Sequence, residues 1–441
     1  MSVLDGRRFG DLHLTIRSHE TLKGFFILFV GRYLRNTFFF LIILFWSCAR
    51  QVHKPPTTTE SGTEPEIRVC LDENFSKATL SFKGEYFLRS EEAIYYFDKS
   101  IDELDVSIRG NLLSISNNLR FLQYSPDIVL NFQTNDPSAS SFIWNGTEYA
   151  GNLEIHYQSN YSCAINVLPI ESYLRGVVPF EIPTGQEEYR EAVYAQTIAA
   201  RTYSLYRMEH SSGQSFDVYS DVRDQVYNGL KRPTDLADDA IGKTTGIVLL
   251  DQGKPAFAQY HSTCGGVLQD TLSAVRRDLI QDGFNCALSP LFRWVEIRSA
   301  ETIFSNITRE FSIEKSAKEK LLNSGLQLGL SIKGRNTDGR VTSIETEIPD
   351  RKFTAEGYRI RKVLADENGH PLPSNLFFIL KPPENKDKFY IVGAGYGHGK
   401  GMCQWGALGM SLEGYSYQKI LSFYYPSFNL KTIYAKQKWL F

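Results

Sequence analysis

The chain has 441 residues, 42% hydrophobic and 13% aromatic, with a formal net charge of −2. That length sustains two or three domains with real cores. The absence of a basic excess argues against nucleic acid as a main partner, and no Walker or dinucleotide fingerprint appears.

Residues 1–48 read as a targeting segment. Thr37 to Trp46 is an apolar run of about ten residues, short for a membrane span and right for a signal-peptide core. Arg32 and Arg35 precede it, and Ser47-Cys48 follows. Ser47-Cys48 resembles the lipobox of bacterial lipoproteins, with Cys48 as the acylated residue. The alternative is an uncleaved N-terminal anchor. Either form implies attachment to a membrane and an extracytoplasmic location. Residues 49–65 contain PPTTTESGTEP, a linker without apolar groups to bury.

Residues 66–166 read as a β-rich N-terminal domain. Polar and apolar side chains alternate in Ala78–Phe82, Asp105–Ile108 and Leu112–Ser116, and Asn145-Gly146 is a hairpin turn ahead of Leu153–Tyr157.

The stretch Val167–Arg207 carries the first chemistry. Pro169–Val178 predicts a short helix and Glu187–Arg207 a long one. Pro179 and Pro183 bracket a non-helical bridge holding Glu181. A carboxyl fixed there beside Phe180 and Ile182 is placed to have a raised pKa and to donate a proton; a solvated loop acid is the alternative. On the long helix, Ala192, Ala195, Ala199 and Thr202 form a stripe of small residues that lets another element approach. Gln196 and Arg201 either face the same cleft as Glu181 or lie exposed. Glu171, near Tyr173, reads as an anchor for the bridge.

Asp217, Asp221 and Asp224 lack the glycine and closing glutamate of a calcium loop and read as turn residues. Thr234–Lys243 predicts a helix, followed by a hairpin of Gly246–Leu250 with Ala256–Tyr260. It delivers Tyr260-His-Ser-Thr-Cys-Gly-Gly266. Neighbouring strand residues point to opposite faces, so His261 and Ser262 do not form a nucleophile–base pair. They line a cleft instead. Residues 295–388 hold a helical piece, Glu314–Asn323, and strands including Gly339–Ile344. His398 then sits in the glycine-rich turn Gly395–Gly401, followed by Gln404 and Trp405, groups suited to bonding and stacking on a sugar. Lys400 is placed to touch an acidic group of a substrate. Six cysteines are present, at 48, 70, 163, 264, 286 and 403, none in a CxxC pair. No zinc knuckle and no cofactor are expected, and Cys403 reads as a buried thiol.

LPIESYLRGVVPFEIP with EAVYAQTIAARTYS, and far downstream GAGYGHGKGMCQWGALGMSLEGYSYQKILSFYYP, resemble the stage II sporulation protein D / amidase-enhancer family. The resemblance covers roughly Glu66 to Tyr434. It implies an α+β fold: a mixed β-rich domain, a helical catalytic core built from 167–294 and 389–434, and an inserted α/β subdomain at 295–388. Some family members hold zinc through Cys and His before the Gln-x-Tyr matched here by Gln225 and Tyr227. This chain has Arg223 and Asp224 there, so that metal site is not expected.

Enzymes of the family are lytic transglycosylases acting on peptidoglycan glycan strands; others bind peptidoglycan or enhance a cell-wall amidase. The resemblance implies Glu181 as the catalytic acid and base, with Gln196, Arg201, Tyr260, Ser262, His398 and Gln404 binding the glycan. The expected partners are glycan strands and, in the alternative reading, an amidase.

Overall fold

The computed structural model describes residues 62–435 apart from 90–92, 99–102, 119, 212–213, 270–275, 281–282, 314–327, 350 and 383–386. The targeting segment with Cys48, most of the linker and the helix expected at Glu314–Asn323 lie outside the described residues. Among the described residues, no helix is long and apolar enough to cross a membrane. The fold is α+β and rich in strand.

Two sheets face each other in the first part of the chain. The larger, seven strands wide, places Tyr161–Pro169 between Glu66–Glu73 and Asn152–Gln158. The other, six strands wide, includes Lys77–Lys83 between Ser141–Trp144 and Leu104–Arg109. Alternation drives this: Lys77–Lys83 buries Ala78, Leu80 and Phe82 and leaves the intervening side chains more exposed. Aromatic rings from both sheets fill the gap, with Phe82 and Phe132 centroids 5.6 Å apart and Tyr86 and Phe142 6.4 Å apart. The Asn145-Gly146 hairpin takes positive φ at both residues, 48° and 76°, as a type I′ turn requires.

The central strand Tyr161–Pro169 is buried from Ser162 to Leu168 and runs directly into the helix Ile170–Arg175. A second, short helix follows, Val178–Glu181. This corrects the expectation of a non-helical bridge. Pro179 sits in the first turn of that helix, where its missing N–H removes no helical bond. The helix stops at Ile182, which is extended (φ −140°, ψ 147°), the conformation favoured before Pro183.

The long helix runs Arg190–His210 behind a 3₁₀ turn at Glu187–Tyr189. Ala192, Ala195, Ala199 and Thr202 are fully buried. The helix packs against the helices Asp235–Lys243, Gln404–Leu412 and Tyr417–Tyr424 and the strand Ile247–Asp251. It is therefore an interior helix, enclosed by elements from the middle and the C-terminal part of the described chain.

The expected hairpin after it is shorter than the pattern suggested. Ile247–Asp251 pairs only with Lys254–Pro255 on that side, and with Asn429–Thr432 on the other. Tyr260–His261 leaves that ladder and pairs in parallel with Met402–Cys403. Two segments far apart in sequence are joined there. Residues 294–391 build a second core around Phe304, Ile344, Phe377 and Ile391. It includes the strands Trp294–Ser299 and Val341–Ile348 and the helices Ala300–Glu310 and Tyr358–Val363.

Candidate active site

Glu181 is the last residue of its short helix, and its carboxylate is held from two sides. Oε1 accepts the backbone N–H of Val226 at 2.8 Å, and Oε2 accepts Gln404 Nε2 at 3.3 Å. Desolvation by the surrounding protein raises its pKa; the two N–H donors pull the other way and do not cancel it. The side chain is nevertheless only half-buried, so a proton can pass between it and a bound molecule.

Gln404 opens the helix Gln404–Leu412 and is itself buried. Its Nε2 also lies 3.5 Å from Gln196 Oε1, while Gln196 Nε2 is buried without a partner among the described residues. A network around Gln225 sits beside this group. Gln225 Oε1 accepts from Tyr173 (3.1 Å) and Ser204 (2.8 Å), and its amide donates to Tyr260 Oη at 2.8 Å. With Gln225 fixed, the N–H of the next residue, Val226, is aimed at Glu181. Burial, then the charge of Glu181, push the Tyr260 phenol well above its ordinary value. The fold thus brings Glu181, Gln196, Gln404 and Tyr260 into one neighbourhood.

His398 and Ser262 lie along the adjoining Tyr260–Cys403 ladder. Because strand neighbours alternate, His261 points away from Tyr260; its Nδ1 donates to the Lys400 carbonyl at 2.9 Å. The His261 and His398 rings are 5.4 Å apart. His398 Nδ1 accepts the Lys400 N–H at 3.0 Å, which leaves the proton of a neutral ring on Nε2. Desolvation, with the charges of Lys400, Arg340 and Arg361, pulls His398 down to about 4, although the residue as a whole is exposed. Gly395, Gly397, Gly399 and Gly401 all have positive φ, from 67° to 106°. At Gly399 a Cβ would also strike the Arg340 guanidinium, so this turn accepts only glycine there. The Ser262 hydroxyl is near Thr263 (3.3 Å), and the Ser262 carbonyl accepts the Trp405 N–H at 3.0 Å. Among the described residues, no hydrogen bond joins His398 or Ser262 to Glu181.

Arg201 is a correction. Its side chain is fully buried and makes a two-pronged ion pair with Glu171, at 2.8 and 2.7 Å, while Nη1 donates to the Ile247 carbonyl at 3.1 Å. A guanidinium enclosed in this way has no face to offer a glycan. Glu171 is equally engaged, accepting also from Tyr434 Oη at 2.6 Å, so it anchors helices rather than serving a reaction. Asp217, Asp221 and Asp224 are paired within the fold, to Ser211, Arg223 and Tyr203 respectively.

Spacing offers no metal ligand set, yet the fold gathers Cys264, Asp278, Cys286 and Cys403 into one buried cluster. Sequence reasoning also missed the Val226 N–H, a backbone donor with no side-chain signature. The Gln-x-Tyr pattern at Gln225 was the available pointer.

Residues 158–250 match the family model described as Stage II sporulation protein, which takes in the Glu181 helix and the Gln225 network. Over that segment the chain is similar to the stage II sporulation protein D / amidase-enhancer family. Residues 252–401 match a further model described as a domain of unknown function. The chain is 27% identical over 415 residues to the amidase enhancer of Bacillus subtilis, covering 85% of this chain and 56% of that protein. The chain thus spans little more than half the length of that relative. It is 23% identical over 295 residues to the stage II sporulation protein D of Bacillus subtilis, covering 62% of this chain and 77% of that protein. An uncharacterized protein of Brachyspira hyodysenteriae is 29% identical over 363 residues, covering 81% of this chain and 91% of that protein.

Proposed function

We propose that this chain is an envelope-associated lytic transglycosylase that cleaves peptidoglycan glycan strands, with Glu181 as its single acid and base. The observation that carries this reading is the setting of Glu181. It is one half-buried carboxyl with a raised pKa, held between the Val226 N–H and the Gln404 amide. Among the described residues, no second carboxylate is bonded to it. Hydrolysis by an ordinary glycosidase calls for two carboxylates flanking the scissile bond.

A lytic transglycosylase needs one. Protonated Glu181 gives its proton to the glycosidic oxygen as the bond to the muramic anomeric carbon breaks. The C6 hydroxyl of the same muramic residue attacks that carbon and passes its proton to Glu181. The product carries a 1,6-anhydro ring, no water is consumed, and Glu181 returns to its starting state. Gln404 supplies an amide for sugar hydroxyls and N-acetyl groups, while Gln196, fully buried behind it, serves to position Gln404 rather than to touch the glycan. Tyr260 and Trp405 supply aromatic surface. His398, neutral at physiological pH, offers a hydrogen-bond donor at Nε2. Attachment through an acylated Cys48 would hold the domain at the membrane facing its polymer.

Denuded glycan strands incubated with the purified protein should release anhydro-muramyl products, read by mass. Reducing-end products would overturn the single-carboxylate mechanism. The similarity to an amidase enhancer across 85% of the chain favours a second reading, a non-catalytic activator that binds peptidoglycan. Glycan binding or amidase stimulation without any cleavage would establish that reading instead. Cys48→Ala should move the protein out of the membrane fraction; unchanged mass and fractionation would exclude acylation there.

A further inference from the structure

Cys264, Cys286 and Cys403 come from three separate segments, and their thiols meet the Asp278 carboxylate with all four donor atoms within 4.8 Å of one another. All four residues are fully buried. We propose that these four side chains form a structural zinc site that fixes the start of the Gln404–Leu412 helix.

The geometry fits a small tetrahedral cation. Zinc–sulfur bonds of about 2.3 Å place sulfurs of one tetrahedron about 3.8 Å apart. Cys264 and Cys286 sulfurs stand 3.5 Å apart, and Asp278 Oδ2 lies 3.0 Å from Cys264 Sγ. The surrounding donors are those a thiolate site needs. Cys264 Sγ accepts the Gly266 N–H (3.3 Å), and Cys403 Sγ accepts the N–H groups of Cys264 (3.2 Å) and Gly406 (3.3 Å). Asp278 Oδ1 is occupied by Tyr424 Oη (2.8 Å) and Asn285 Nδ2 (2.9 Å), which orients Oδ2 toward the cysteines.

Asp278 has no cationic side chain paired with it among the described residues. A buried carboxylate facing three thiols is costly unless a cation joins them. A disulfide between Cys264 and Cys286 would leave Cys403 and Asp278 unexplained. On loading, each thiol gives its proton to solvent and the metal takes its place. The site lies beside the sugar-binding face rather than in it: Cys403 caps the helix whose first residue is Gln404.

The test is metal content of the full chain purified without chelator. One zinc per chain is expected, and cobalt replacement should give the absorption of a tetrahedral thiolate complex. Cys286→Ser should lose the metal. Asp278→Asn, which keeps the acceptor for Tyr424, should weaken zinc affinity at least roughly tenfold. Cys163→Ser, outside the cluster, should retain it. A reduced wild-type protein that takes up neither zinc nor cobalt would overturn the proposal, as would a Cys264–Cys286 disulfide in the purified protein. If the cluster variants do not fold, the wild-type metal content and cobalt spectrum decide the matter alone.

Discussion

The Gln404 side-chain amide donates to Glu181 Oε2 across 3.3 Å, joining residues 223 positions apart. It is one of several direct bonds between the two long motifs of the chain, and the one that reaches the Glu181 carboxyl. It also favours the charged form of the carboxyl, opposing the desolvation that raises its pKa. Gln404→Met removes the donor and keeps the bulk. The Glu181 pKa should then rise further, and the alkaline fall in glycan cleavage should move to higher pH. A pH profile of kcat/KM that stays in place, or moves to lower pH, would show that the bond does not tune Glu181.

Glu181→Gln should lose cleavage by roughly 10²–10⁴-fold. Its effect on stability should have the opposite sign. The folded pKa of Glu181 is raised, so between the unfolded and folded values the native state holds more protons, and stability falls as pH rises. Above the ordinary glutamate pKa the wild type therefore carries a stability cost from this shift that the glutamine lacks. Denaturant unfolding should find Glu181→Gln more stable near pH 7, with the two proteins converging below the ordinary glutamate pKa. A variant less stable at both values would contradict the desolvated setting.

Glu171→Gln tests the buried ion pair. Arg201 has no exposed side-chain surface, and removing its partner leaves an uncompensated interior charge. Loss of one member of such a pair costs about 3–5 kcal/mol. The double change Glu171→Gln with Arg201→Met should cost less than the single change. Activity per folded molecule should survive in both. Selective loss of glycan binding with full stability would return Arg201 to the substrate face.

Cys70 and Cys163 sit on neighbouring strands with their sulfurs 2.9 Å apart. Mild oxidation should join them and close a loop of 93 positions, adding about 2–4 kcal/mol. Peptide mapping without reduction would find the cross-link. In zinc-loaded protein the three clustered cysteines should resist the same treatment, so a first cross-link at Cys264 would count against both assignments.

Much of the layout was legible because it follows from local rules. Alternation in Lys77–Lys83 and the Asn145-Gly146 turn specify strands and a hairpin with little outside help. Glu181 stood out because two prolines and two apolar neighbours fix its surroundings. The same prolines misled on local conformation, since Pro179 is tolerated in the first turn of a helix that nothing else announced. Arg201 was misplaced for another reason. Helical spacing puts it on a face, but which face a cation occupies depends on Glu171, 30 positions away. The cysteine cluster needs contacts across 139 positions between Cys264 and Cys403, beyond any spacing rule.

Tyr434 pairs with Gly62, and the N–H of Gly62 donates to the carbonyl of Ile433 at 3.3 Å. The strand just before, Asn429–Thr432, completes the ladder of Ile247–Asp251. The two ends of the described fold therefore emerge side by side. A covalent bridge of a few residues could close them into a ring. The same ring could be reopened at the exposed Asn145-Gly146 turn, giving a permuted chain in which the Glu181 and Gln404 segments keep their order and all their contacts.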